Sequence, residues 1–171
     1  MSERKQNKKI DKRAPVIVGV GDLVDRSKED GLNPQELLAK ACEHAIQDSG
    51  IKELNKHIDY MGVVRFTVDF LTATNQSNFQ YSNFPRTLAN KLNISAKNEV
   101  YAPMGGNSPQ VLLEDALVKI STGETDCALL SGGEALQTMI AKLKAGMSLD
   151  WLDEPGGSPE MIGNNDIGFS D

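Results

Sequence analysis

Short apolar runs alternate with amphipathic helical patterns along almost the whole chain, and that alternation limits the fold more than any other feature. Residues 15–20, 58–66, 99–102 and 127–131 are strand-sized, and the first, second and fourth are rich in β-branched or other apolar side chains. Helical periods separate them. Asn33 stands before Pro34 and three residues ahead of Glu36, the spacing of a capping box, and Gly50 closes the pattern. Within it, Leu37, Leu38, Ala41, Cys42, Ala45 and Ile46 make one apolar face. A short helix is expected over 84–92 around Pro85, a third that follows the turn at 104–110 and runs to about Thr122 with Gly123 as its stop, and a fourth carrying Ala135, Leu136, Met139, Ile140 and Leu143 that ends at Gly146. The order β-α-β-α-β-α-β-α predicts an α/β fold: a mostly parallel sheet with helices on both faces.

The third helix is unusual. Val111, Leu112, Leu113, Ala116, Leu117 and Ile120 surround much of its circumference, so it is expected to be buried on most sides. Residues 67–83 are polar and read as a long loop, a length associated with function or mobility inside a compact domain. Residues 151–171 are rich in Gly, Pro and Asn and read as a loop-like end.

A chain of 171 residues is long enough to bury a core without staples. No run of eighteen apolar residues predicts a membrane span, and the apolar run after the basic start is too short for a signal peptide. The net charge is −6, with six basic and two acidic residues in 1–13 (net +4) and therefore −10 on the remainder. The first thirteen residues are expected to be a disordered basic tail, and the acidic body disfavours nucleic acid as a partner. Cys42 and Cys127 lie far apart with no metal-like spacing, which predicts no disulfide scaffold, no metal site and a reducing, cytoplasmic compartment.

Two glycine turns follow apolar runs. Gly19-Val20-Gly21 lacks the third glycine of a dinucleotide fingerprint and reads as a β-turn. Gly105-Gly106-Asn107-Ser108 lies between the third run and the apolar helix. Glycines there allow close backbone approach, and a helix N-terminus offers N–H groups to an oxyanion or phosphate. Ser108 is the only hydroxyl in that turn, while His44 and His57 fall elsewhere and read as surface residues. Both cysteines read as small core side chains.

Five passages together resemble the N-terminal half of a thiolase-superfamily acyltransferase. They are Arg13-Ala14-Pro15-Val16-Ile17-Val18-Gly19, Asp48-Ser49-Gly50, the run from Tyr101-Ala102-Pro103-Met104 through Gly105-Gly106-Asn107-Ser108-Pro109-Gln110, Ser121-Thr122-Gly123-Glu124-Thr125-Asp126-Cys127-Ala128, and Ser131-Gly132-Gly133-Glu134-Ala135. The resemblance covers about residues 13–171. It is strongest to divergent thiolase-like proteins of the acetyl-CoA acetyltransferase type, related to sterol-carrier-protein-linked thiolases.

This resemblance implies the first half of a layered αβαβα fold. Residues 14–146 would form the thiolase-like α/β domain and 147–171 the start of a loop, or lid, domain. It implies an acyl-CoA acyltransferase of lipid metabolism, with a coenzyme A thioester as substrate and no separate cofactor. The nucleophilic cysteine of such enzymes would fall at Gly106, so the chain alone is predicted inactive, with Ser108 as the remaining candidate. Gly105, Gly106, Asn107, Ser108, Gly133 and Glu134 would line the substrate site. The alternative is a non-catalytic scaffold that binds acyl-CoA or a partner subunit. An apolar helix without its counterpart half further implies a homo-oligomer or a missing C-terminal half, with the strand near residues 99–102 as an edge for dimer pairing.

Overall fold

The structure, a computed structural model, describes residues 11–69 and 81–163. Most of the expected basic tail, the middle of the long loop and residues 164–171 lie outside the described residues. Among the described residues, the elements follow in chain order as α1 Pro34–Asp48, β1 Tyr60–Val64, α2 Phe84–Lys91, β2 Asn98–Ala102, α3 Ser108–Thr122, β3 Ala128–Ser131, α4 Leu136–Lys144 and β4 Glu160–Met161, and residues 67–69, expected to be loop, are helical as well. A short 3₁₀ turn, Leu54–Lys56, precedes β1.

The α1 start forms as its spacing dictates. Asn33 Oδ1 accepts from the Glu36 amide at 2.8 Å, and Glu36 Oε2 accepts in return from the Asn33 amide at 3.3 Å. Gly123 ends α3 in the left-handed region at φ 81°, a conformation that costs glycine little. The sheet order is β3-β1-β2-β4, and every pairing is parallel. Tyr60 faces Asn98 on one side and Ala128 on the other, which fixes the register of the three longer strands.

Alternate residues of β1 and β2 feed two cores. Met61, Val63 and Tyr101 point into the larger one, with Leu38 of α1 and Phe84 and Leu88 of α2. Tyr60, Val100 and Ala102 point the other way, onto Leu112 and Ala116 of α3. Phe66, Tyr81 and Phe84 meet edge to face at centroid distances of 4.7–5.8 Å, and Tyr101 stacks beyond Phe84.

Four expectations change. Residues 15–20 are not a buried strand: Val16 is 76% and Ile17 77% exposed, and the segment pairs with no strand among the described residues. Instead it lies against α1. Added side-chain atoms at Gly19 and Gly21 would collide with the carbonyls of Ala45 and Ala41, and Asp48 Oδ2 accepts from the Val20 amide at 2.9 Å. A β-branched run sets an extended conformation, but it does not supply a partner strand. Helix α3 buries only Ser108, Leu112, Ala116 and Lys119, and leaves Leu113, Leu117 and Val118 open, because the sheet covers one face only. Strand β2 is not an edge, since β4 pairs with it through Val100–Glu160 and Tyr101–Met161.

Residues 151–163, finally, are an ordered strap. Trp151 is buried, and its carbonyl accepts from Tyr81 Oη at 2.9 Å and from the Gln35 side chain. Thr87 Oγ1 donates to Asp153 at 2.8 Å, and Arg86 Nη1 donates to the Gly156 carbonyl at 3.1 Å.

Phe84 is fully buried at the centre of the aromatic cluster. Phe84→Ala is expected to cost about 3–5 kcal/mol, read as a lower urea midpoint with an unchanged slope.

Candidate functional site

Parallel strands deliver their following loops to one end of a sheet, and ligands of such sheets bind at that carboxyl end. Here β1, β2 and β3 release Arg65, Pro103 and Gly132 there. Arg65 continues the β1–β2 ladder by one bond, from its amide to the Ala102 carbonyl at 2.9 Å.

The turn after β2 leaves Gly105, Gly106 and Asn107 exposed, while Ser108 is 2% exposed as the first residue of α3. The helix start keeps few of the N–H groups expected of it. Ser108 N donates to the Gly105 carbonyl at 3.1 Å, Pro109 has no N–H, and Gln110 N and Val111 N both donate to the Asn107 carbonyl. The amides of Gly106 and Asn107 have no hydrogen-bond partner among the described residues. The donors available to a ligand therefore belong to the turn rather than to the first turn of α3.

Gly106 has no positive φ, and a side chain added there meets nothing within 4 Å. Neither backbone conformation nor crowding requires a glycine at this position. Gly105 is tighter: an added Cβ would sit 3.0 Å from Ser108 Oγ.

The second turn sits on the other side of β1. Gly133 packs closely on Leu38 of α1. Glu134 Oε2 accepts from the Thr67 amide at 2.7 Å and Oε1 from the Ala135 amide at 3.0 Å. The carboxylate thus ties the loop after β3 to the start of the helical residues 67–69 that follow β1. The fold brings both turns to the same end of the sheet with β1 between them.

Sequence reading missed a buried ionic group at this end. Arg65 Nε lies 2.9 Å from Asp69 Oδ2, and its guanidinium sits 4.8 Å above the Tyr101 ring. Tyr101 Oη donates to Asp69 Oδ2 at 3.0 Å, and the Tyr81 amide donates to Oδ1 at 3.0 Å. Burial pushes the Asp69 carboxyl above its ordinary value, against the pull of these donors and of Arg65. The only sequence signal is the four-residue spacing of Arg65 and Asp69, which does not reveal that the carboxylate is buried and the guanidinium half-buried.

Neither thiol is at the glycine turn. Cys42 is buried on α1, where desolvation pushes its pKa up to about 11. Cys127 precedes β3 at the opposite end of the sheet, and its pKa is raised by burial and then by Asp59 and Asp126. Both shifts oppose thiolate formation. His44 lies on α1 with Nδ1 2.8 Å from the Asp22 carbonyl, and His57 is exposed beyond the 3₁₀ turn. Among the described residues, no group of His, Cys, Asp and Glu could hold a metal ion, and no helix is long and apolar enough to cross a membrane.

No protein-family model matches the sequence, and no curated protein matches it. Among solved structures, the chain is similar to a monomeric SCP2-thiolase-like protein type 1 from Mycobacterium smegmatis, at 30% identity and a TM-score of 0.57. The match covers 73% of this chain and 24% of that one, so the chain spans about a quarter of its neighbour's length. The fold is thiolase-like: an α/β domain built on a parallel sheet.

The thiol environments set a pH dependence. Between about pH 9 and 11 the unfolded chain has lost the Cys42 proton while the native chain retains it, so stability falls as pH rises through that window. Cys42→Ala is expected to flatten this part of the stability profile, and native Cys42 is expected to react with a thiol reagent only on unfolding. A profile unchanged by the substitution contradicts the assignment.

Proposed function

We propose that the chain is the N-terminal portion of a thiolase-like protein that binds acyl-CoA thioesters without forming a covalent acyl intermediate at its glycine turn. One observation carries this reading. At the exposed turn where the resemblance puts a nucleophile, Gly106 leaves open space, and both cysteines lie elsewhere under conditions that keep them protonated. The Gly106 and Asn107 amides are suited to donate hydrogen bonds to a thioester carbonyl or a phosphate oxygen, because backbone N–H groups hold an oxyanion without themselves reacting.

A second reading is favoured by the same turn. In an acyl-CoA acyltransferase of the acetyl-CoA acetyltransferase type, the turn would act as the oxyanion cradle and the reacting groups would come from polypeptide beyond this chain. Lipid metabolism and a cytoplasmic location belong to either reading, the latter supported by two unbridged thiols. In both, residues 147–171 would open a lid domain. The open stripe of Leu113 and Leu117 on α3 would be covered by a C-terminal half or by a second copy.

Native mass spectrometry of the chain with acetyl-CoA tests the noncovalent reading. The expected result is a noncovalent adduct with no acetyl mass shift, lost in Gly106→Leu, which fills the open space beside the turn. A covalent acetyl shift that disappears in Ser108→Ala would overturn the noncovalent reading. No adduct would remove the ligand from both.

A further inference from the structure

Helix α4 is held down on one face and presents apolar side chains on another. Ala135, Thr138 and Met139 are buried, and Gly31 packs so closely on Thr138 that an added Cβ would sit 2.4 Å from its Oγ1. Leu136, Ile140 and Leu143 follow one another at spacings of four and three, so they share a different face. Leu136 still reaches the edge of the larger core, but Ile140 is 37% and Leu143 56% exposed. Met147 extends the exposed apolar surface past the helix end. Gly146, at φ 69°, turns the chain back, and the Met147 amide donates to the Lys142 carbonyl at 2.9 Å, which keeps this exposed residue against the last turn.

The charge of this stretch is opposite to that of the body. Residues 135–149 carry Lys142 and Lys144 and no acid, whereas residues 14–171 as a whole carry a net −10. Both lysines stand in the last turn of α4. Among the described residues, neither forms an ion pair with a carboxylate. Exposed aliphatic side chains and unpaired cations therefore share one end of one helix.

We infer that the end of α4 is a surface anchor for an anionic lipid bilayer: Ile140, Leu143 and Met147 enter the acyl boundary while Lys142 and Lys144 remain at the level of the lipid phosphates. Charge complementarity favours this occupant. The lysines meet the negative headgroups, and the acidic remainder of the chain is held off the same surface. Long lysine stems reach headgroup level while neighbouring apolar groups are buried. The chemistry of the patch favours lipid over polypeptide. It contains no Trp, Tyr, Phe or Arg, the side chains that anchor protein interfaces. Three aliphatic side chains also fall far short of the area a specific protein interface buries, whereas a bilayer surrounds each inserted side chain with apolar medium and sets no such minimum. A contact in the plane of the bilayer surface needs no spanning helix. Helix α4 begins two residues after Glu134, so the anchor holds the carboxyl end of the sheet within about 15 Å of the lipid.

The test is flotation of the full chain with vesicles of phosphatidylcholine, alone or mixed with phosphatidylglycerol. Affinity is expected to rise about tenfold or more when the anionic lipid is present. Residues 1–13 carry a net +4 and are attracted to the same lipid, so substitutions in α4 decide the question. Leu143→Gln and Lys144→Gln are each expected to lower affinity for the anionic vesicles about fivefold or more. Both side chains are exposed, so the folded state is expected to persist in each variant, read as a retained thermal midpoint. The inference is overturned if the anionic vesicles do not bind the chain, or if both variants bind them as the unsubstituted chain does. It is also overturned if the chain doubles in mass without lipid and Leu143→Gln restores the monomer, because the patch then belongs to a second copy. None of these outcomes depends on acyl-CoA binding.

Discussion

The structure depends on β1 being paired along both edges and covered on both faces. Its five residues pair with β2 and β3 and send alternate side chains into two separate cores. Tyr60 is fully buried under α3, and its hydroxyl still reaches Asp115 Oδ2 at 2.8 Å, so the polar tip is satisfied where the ring is enclosed. Met61 and Val63 are fully buried on the opposite face. A strand so enclosed leaves little freedom to its neighbours. The register fixed at Tyr60 carries through to the strand ends, and the loops holding Gly105, Gly106, Gly133 and Glu134 emerge at one level.

The site's chemistry follows from how those loops are tied. Glu134 spends both carboxylate oxygens on backbone amides, which makes it a brace between two segments rather than a free acid. The start of α3 consumes its own donors, which moves the capacity to hold an oxyanion onto Gly106 and Asn107. Arg65, Asp69 and Tyr101 form a charged group beneath the same end of the sheet, where Asp69 is tolerated in a buried position because an arginine and two hydrogen bonds face it. The thiols contribute packing. The arrangement suits the proposed ligand held by backbone contacts, and the described residues place no activated nucleophile beside it.

Much of this was legible locally. The Asn33–Glu36 box, the Gly123 stop and the glycine turn after β2 are decided within a few residues of chain, so spacing alone reveals them. What escaped was decided by distant contacts. Residues 15–20 have strand composition, but strand identity needs a partner edge, and the chain holds this segment on α1 instead. The two-residue β4 carries no periodic signal, and its place beside β2 rests in part on Lys119 reaching Glu160 at 2.7 Å. The strap from Trp151 looked like a loose end because its anchors, Gln35, Tyr81 and Arg86, lie far back in the sequence. The apolar pattern of α3 predicts burial on most sides, and the open stripe shows that its apolar composition exceeds what this sheet can cover.

The central claim is that the two glycine turns form one ligand-binding end without covalent chemistry. Backbone amide chemical shifts recorded during titration with a nonhydrolysable acetyl-CoA thioether address it most directly. The account predicts saturable shifts at Gly105, Gly106, Asn107 and Gly133, with Cys42, Cys127 and the amino end of the sheet unmoved. Shifts centred on either cysteine, or no saturable change at the glycine turns, would contradict it.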